Sequence, residues 1–338
     1  MAGITPNFNR KRAVPVRLTR GAPEPHDMTE ESPDVVTLLP SATEIVYALG
    51  VDPVATSHEC DYPPAAAGKP DANRSRVDPT ASAGEIDEQV RTAEESGGVY
   101  EIRRDVLAEV DPDVIVSQGI CDVCAVDEVL VRDAVADLGL DCEVVTTDPH
   151  SLSDVFDDIE QIGRALDREA RATDLVAELR ERVATIEERA SEATNDRGPQ
   201  RVAVFDWTDP VMVAGHWVPG MIERLGGEYG LREPGAASRP FEWSEVREYD
   251  PEIAVVAPCG FGLDQTFENL DDLVDRAGWG ELAAVEADRT YAVDGHHLVN
   301  RPGPRLVETM AALAWCLYPD TFEAPPADHA RPLARRVA

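Results

Sequence analysis

Residues 151–193 contain no proline and set Val155, Ile159, Ile162, Leu166, Leu175, Leu179, Val183 and Ile186 mostly three or four places apart. That spacing gathers them on one stripe of an α-helix. A helix of about 40 residues, with a weak point near Asp167, would reach on the order of 60 Å at 1.5 Å per residue. Such a rod is longer than a small domain is wide, so it either spans two lobes or projects as a dimerising coiled coil. What flanks it favours the span.

On its N-terminal side, residues 34–40 (DVVTLLP) form a short apolar run. Residues 41–50 (SATEIVYALG) follow, with Ser41 or Thr43 placed to cap a helix that Gly50 stops. Strand signals recur at 54–57, 114–117 and 142–146, and helix signals at 104–110 and 126–138. After the turn-like 195–198 (NDRG) the alternation restarts. Strands are expected at 202–205, 253–257 and 290–293, helical segments at 211–225, 270–277 and 304–317. Alternation of this kind builds parallel sheets covered on both faces. The fold class is therefore α/β: two Rossmann-like lobes, residues 34–150 and 196–322, joined by a long backbone helix over 151–195. Residues 1–33 read as a disordered extension or a mis-assigned start, and 323–338 as a polar tail.

Charge narrows the partners. The chain carries 65 acidic and 31 basic residues, a formal net charge of −34. It would repel nucleic acid and anionic membrane surfaces. The acid is spread evenly and lysine is confined to Lys11 and Lys69, the pattern of a salt-adapted surface in which dissolved ions screen the repulsion. No stretch approaches the roughly 20 apolar residues of a membrane span. Basic residues near the start are not followed by an apolar export segment, so the expected location is cytoplasmic.

In open α/β sheets ligands bind beyond the carboxyl ends of the strands. The unusual residues fall there: His58, Glu59, Cys60, Gln118, Cys121, Cys124 and Asp148 in the first lobe, and Trp207, His216, Trp217, Cys259, Phe261, His296, His297 and Arg301 in the second. Cys121 and Cys124 form a CxxC that can hold a soft metal, close a redox disulfide or simply pack. With Cys60 and Cys259 it would make a four-thiolate site for zinc or an iron–sulfur cluster. Cys142 and Cys316 read as small core residues. His216 is placed to coordinate a metal in a flat macrocycle, with Trp207 or Trp217 against the ring; alternatively His216 caps a helix and the tryptophans pack between lobes. Arg301 holds either an anionic ligand group or an internal carboxylate. No nucleophile elbow, phosphate-cradling loop or dinucleotide fingerprint appears, so catalysis has no warrant beyond the thiols.

The order of parts, with Leu39-Pro40-Ser41-Ala42-Thr43-Glu44, His58-Glu59-Cys60-Asp61-Tyr62-Pro63 and the paired stretches 105–116 (DVLAEVDPDVIV) and 245–256 (EVREYDPEIAVV), resembles the helical-backbone (class III) substrate-binding proteins of ABC importers. The vitamin B12-binding branch is the most similar. Residues 118–126 (QGICDVCAV), Gly215-His216-Trp217-Val218-Pro219 and Arg301-Pro302-Gly303-Pro304-Arg305 resemble a cytosol-type, cobalamin-binding subgroup of it. The resemblance implies a cobalamin-like corrinoid or related metal chelate held between the lobes, and the strand-end residues expected to line that cleft are His58, Glu59, Gln118, Trp207, His216, Trp217, Phe261, His297 and Arg301. It also implies Asp105 and Glu245 as contacts for an ABC permease. Two other readings remain open: a thiol- or metal-dependent enzyme on the same scaffold, and a haem or metal carrier.

Overall fold

The computed structural model describes residues 32–95, 98–119, 126 and 128–333. The first lobe runs β1 (Val35–Thr37), α1 (Pro40–Ala48), β2 (Asn73–Ser75), α2 (Ala83–Glu95), β3 (Tyr100–Ile102), α3 (Arg104–Val110), β4 (Val114–Gln118), α4 (Glu128–Leu138) and β5 (Glu143–Thr147). Strands β1, β4 and β5 lie side by side in that order, all parallel, with Val35 opposite Val114 and Val116 opposite Val145. Parallel bridges from Val36 to Ala55 and from Thr56 to Asp71 widen the sheet. α1 starts on Pro40, whose missing N–H costs nothing at a first helical position. Ser41 and Thr43 therefore lie inside the helix rather than capping it, and the Thr43 hydroxyl instead meets Thr37 and the Leu39 carbonyl.

The interlobe rod is two helices, α5 (Leu152–Ala165) and α6 (Glu169–Arg197). Asp167 adopts a left-handed φ of 54° at the break, and Gly163 allows Ala172 to pack directly onto α5. α6 alone, with 29 residues, extends about 43 Å. It packs on α5 at one end and on the C-terminal helix of the second lobe at the other.

The second lobe runs β6 (Val202–Trp207), β7 (Met212–Val213), α7 (Trp217–Arg224), β8 (Arg239–Pro240), α8 (Trp243–Tyr249), β9 (Ile253–Val256), α9 (Leu263–Glu268), α10 (Asp271–Val274), α11 (Ala283–Glu286), β10 (Thr290–Val293), a π-helical turn (Gly295–Val299), α12 (Leu306–Leu317) and β11 (Ala330–Pro332). The sheet order is β11-β10-β9-β6-β7-β8. Only the centre, β10-β9-β6, is parallel; β7, β8 and β11 pair antiparallel at its two edges. Two expectations change accordingly. Residues 330–332 are a paired edge strand rather than tail, because they satisfy the open backbone groups of β10. Residues 211–225 are strand, Gly-His turn and helix rather than one helical segment.

The two lobes match in detail. α3 and α8 each end on an aspartate in the left-handed region, Asp111 (φ 44°) and Asp250 (φ 47°), each followed by proline and a buried strand. The Asp113 carboxylate accepts the N–H of Asp34 ahead of β1, and the Glu252 carboxylate accepts the N–H of Arg201 ahead of β6. Aspartate tolerates this conformation better than most side chains, and proline then forbids the helix to continue. One apolar core runs from Val35 through α5 and α6 to Leu333, so the rod shares a buried interior with both lobes, and a second cluster around Val36, Leu107 and Ile115 fills the rest of the first lobe.

Candidate functional site

The carboxyl ends of the strands in the two lobes face each other, and two clusters join across the gap. The first centres on His150, after β5, and His216, between β7 and α7, whose ring centroids lie 5.8 Å apart. His216 carries φ 51°, ψ −117°, a strained conformation for a side chain with a Cβ. Its backbone is clamped there: its N–H donates to Ala236 O (2.7 Å) and its carbonyl accepts from Gly235 N (2.9 Å). The preceding Gly215 lies so close to the Ala236 carbonyl that a Cβ would collide with it. Buried side-chain atoms without a partner among the described residues gather here: Gln118 Nε2, Thr146 Oγ1, His150 Nδ1, Asp206 Oδ1, His216 Nδ1 and Arg232 Nε. Unpartnered buried polar groups are costly and rare, so their concentration at the strand ends marks a place where a ligand would complete them.

Burial, together with the nearby His150 and Arg232 charges, lowers the pKa of His216 and keeps its imidazole neutral. Carboxylates surround it. Asp148 lies 3.2 Å from His150, and burial pushes Asp206 up to about 6. Asp158 on α5 is pushed up to about 7 by burial and by Asp154, Asp148 and Asp157.

The second cluster is ionic. Arg301 Nη1 donates to Asp61 Oδ1 (2.6 Å) and reaches Glu44 (3.5 Å); Arg305 grips Glu44 with Nε (2.9 Å) and Nη2 (2.5 Å) and lies over the Tyr62 ring. His296 Nε2 and His297 Nε2 both approach Asp61 Oδ2, at 3.2 and 3.0 Å. Burial alone would raise Asp61, but hydrogen bonds from His296, His297 and Arg301 hold it well below the carboxylate range. Hydrogen bonds to Asp294 and then Asp61 raise His297 to about 9. Glu44, Asp61 and Tyr62 belong to the first lobe and the arginines and histidines to the second, so this network ties the lobes together.

The expected site residues divide accordingly. Gln118 and His216 reach the strand-end gap. His297 and Arg301 belong to the ionic bridge, and Arg301 serves internal carboxylates. His58 is turned into the first lobe, bonded to Asn73 Oδ1 (2.8 Å) and against Tyr100, with Glu59 alongside at 3.9 Å. Trp217 is no ring wall: its Nε1 donates to Val299 O (2.9 Å) inside the core of the second lobe. Trp207 and Phe261, 5.1 Å apart, pack with Ala83 and Ile86 of α2 as an apolar interlobe contact, with the half-buried Cys259 beside them. Cys60 does not join Cys259. It is buried against the Thr43 hydroxyl at 2.9 Å, and burial pushes its thiol up to about 12, away from the thiolate that a metal requires. Cys121 and Cys124 lie outside the described residues. Cys142 packs beside the first-lobe core and Cys316 is fully buried, as expected of core residues. Asp105 is exposed and paired to Arg103, and Glu245 completes a capping box with Glu242; both stand in the first turns of the matched helices α3 and α8. Sequence pattern alone does not single out His150, Glu44, Asp61 or Arg305 as site residues. A glutamate on the buried face of α1 and the HH doublet just ahead of RPGPR are the signals that point to them.

Residues 35–296 match the family model described as periplasmic binding protein. The chain belongs to the periplasmic binding protein family. It is 26% identical over 316 residues, covering 93% of this chain and 89% of the other, to an uncharacterized ABC transporter substrate-binding lipoprotein, YvrC, of Bacillus subtilis. Its fold is similar to that of a periplasmic heme-binding protein from Pseudomonas aeruginosa, with TM-score 0.70 and 17% identity over 91% of this chain and all of that one. It is also similar to the periplasmic vitamin B12-binding protein BtuF of Vibrio cholerae, with TM-score 0.61 and 19% identity over 85% and 96% of the two chains. The cytoplasmic location expected from the sequence is thereby corrected. It rested on a missing apolar segment near the start, whereas the family is one of periplasmic proteins and the B. subtilis relative is a lipoprotein. Among the described residues no helix is long and apolar enough to cross a membrane.

Proposed function

We propose that this periplasmic binding protein is the ligand-binding component of an ABC importer, and that its ligand is a cobalt corrinoid held between the lobes. The observation that carries the reading is the pair His150 and His216, one from each lobe, with rings 5.8 Å apart and both Nδ1 atoms unpartnered among the described residues. A neutral imidazole offers a lone pair to a metal. The surrounding acid discriminates among flat metal chelates. Haem carries two propionates, which Asp148 and Asp206 would repel; the corrin rim carries neutral amides that can satisfy Gln118 and the other orphaned groups. Asp105 and Glu245, both exposed in the first turns of α3 and α8 and within one position of correspondence, are the acids offered to arginines of a permease.

Titration of the purified protein with dicyanocobinamide, cyanocobalamin and haemin, followed by absorbance, tests this. The expected result is saturable corrinoid binding with a shifted corrin spectrum, weakened at least tenfold by His216→Ala and unchanged by Asp105→Ala with Glu245→Ala. Tighter binding of haemin than of either corrinoid would overturn it.

A further inference from the structure

The ionic bridge between the lobes contains the elements of a metal centre separate from the strand-end gap. Asp61 of the first lobe and His296 and His297 of the second each offer one ligand atom, all within 4.8 Å of one another. Both imidazole Nε2 atoms converge on the same carboxylate oxygen, Asp61 Oδ2, at 3.0 and 3.2 Å. Around a tetrahedral ion with bonds of about 2.0 Å, neighbouring ligand atoms lie about 3.3 Å apart, so these two edges are already near their bound lengths. A buried carboxylate fixes the ring of His297: its Nδ1 is 2.7 Å from Oδ2 of Asp294, the carboxylate–imidazole arrangement that orients a histidine towards a metal. The π-helical turn Gly295–Val299 brings consecutive histidines to one point, their rings edge to face at 4.5 Å. All three ligands are half-exposed, which leaves a path for an ion and a fourth position for water or a ligand atom.

We propose that Asp61, His296 and His297 bind a divalent first-row transition ion that pins the two lobes together. Arg301 is the competitor in the metal-free state, with Nη2 2.8 Å from His296 Nε2 and Nη1 on Asp61 Oδ1. Binding requires that His297 give up its Nε2 proton to solvent, while Nδ1–H stays on Asp294, and that His296 release Arg301, which keeps Asp61 Oδ1 and Glu44 as partners. An arginine on the non-coordinating oxygen of a ligating carboxylate is ordinary support for a metal site. Two imidazoles and one carboxylate suit zinc, cobalt or nickel and not calcium or magnesium, which prefer oxygen alone.

The test is isothermal titration of the full-length protein, stripped by chelator, with Zn²⁺, and visible spectroscopy with Co²⁺. One equivalent is expected, with cobalt ligand-field bands and no thiolate charge-transfer band. His296→Ala and His297→Ala should each weaken binding at least tenfold, whereas Cys121→Ser with Cys124→Ser and His216→Ala should leave it intact. The His216 arm separates this site from the corrinoid reading, since either can fail alone. Asp61→Asn, nearly isosteric, serves if a histidine variant melts early without metal; it too should lose at least tenfold. A thiolate charge-transfer band, unchanged affinity in the histidine variants, or no Zn²⁺ uptake at micromolar concentrations would overturn the proposal.

Discussion

Glu44→Gln tests whether the ionic bridge couples the lobes. The Glu44 carboxylate is almost wholly buried and accepts from Arg305 at 2.9 and 2.5 Å and from Arg301 at 3.5 Å, so α1 reaches across the gap through this one side chain. Removing one partner of a buried ion pair costs about 3–5 kcal/mol, because the remaining charge has lost its water as well as its partner. Glutamine keeps the volume and one acceptor oxygen, and Asp61 still serves Arg301, so the low end applies: about 3 kcal/mol, more than a hundredfold in the folded-to-unfolded ratio. Urea unfolding should be followed by two probes. All five tryptophans, at 207, 217, 243, 279 and 315, lie in the second lobe, with Trp207 also touching the first, so their fluorescence reports mainly the second lobe while far-ultraviolet dichroism reports both. The wild type, with one continuous core, should give coincident transitions; the variant should unfold at lower urea and the two curves should separate. The double variant Glu44→Gln with Arg305→Met should lose at least 1 kcal/mol less than the sum of the single losses, because both changes break one pair. A loss under 1 kcal/mol with coincident curves would refute the reasoning, and the bridge would then be worth no more than a solvated surface pair.

Three further outcomes follow from particular residues. Asp158 is pushed up to about 7 in the fold against 3.8 when exposed; the folded state therefore binds the extra proton, and the contribution of Asp158 to stability is full below about pH 4 and is lost as pH rises through about 7. Asp158→Asn removes that loss, so denaturation midpoints should match the wild type at pH 4 and exceed it by about 1–2 kcal/mol at pH 8, where equal stability would show Asp158 to be well solvated. Gly215→Ala forces a Cβ onto the Ala236 carbonyl and should cost about 2 kcal/mol or more and weaken corrinoid binding, whereas Gly262→Ala, with open space around it, should cost under about 1 kcal/mol; thermal melts and ligand titrations of the two read the contrast. With a net charge of −34, raising KCl from about 0.1 M to about 1 M shortens the screening length from roughly 10 Å to 3 Å and should raise the melting temperature by several degrees; a flat or falling trend would show that acidic self-repulsion is not what limits stability.

Elements whose pattern is local were legible in the sequence. The helix–Asp–Pro–strand units ending at Asp111 and Asp250 and the buried strands β4, β6, β9 and β10 declare themselves within a dozen residues, and the rod was visible with its break at Asp167. α2 was not, because its buried positions Ala83, Ile86 and Ala93 are sparse in a run dominated by acid; part of its apolar face is completed by Trp207 and Phe261 of the other lobe. β7 and β8 are two residues long and exist only by pairing outward from β6, β7 on β6 and β8 on β7. The tryptophans left two readings open for a physical reason. An indole after a strand can wall a cleft or anchor a core, and Trp217 does the second because Val299, more than 80 residues on, supplies its hydrogen-bond acceptor. The ionic bridge was illegible as a unit, since Glu44, Asp61, His296 and Arg301 meet only through the packing of two lobes; Arg301 alone could be read as holding an internal carboxylate, but Glu44 and Asp61 each read as an ordinary surface charge.

These placements bear on how a ligand is held. A hinge that opens widely needs a flexible connection and a weak interface, and here neither is present. α6 packs on both lobes along a span of about 43 Å. The apolar contact of α2 with Trp207 and Phe261 and the Glu44–Arg305–Arg301–Asp61 bridge fasten the lobes at two separate places. Swinging the lobes apart would expose the first and strip charge partners from the second, each a cost of kilocalories rather than tenths. Ligand entry by small shifts of the loops carrying His150 and His216 avoids both costs. Strain concentrates in one of those loops, in the φ of 51° at His216, and the backbone clamp from Gly235 and Ala236 keeps the imidazole presented before any ligand arrives. On the reading that the ligand sits between His150 and His216, affinity would come from a site already formed, since little conformational freedom is left to lose on binding.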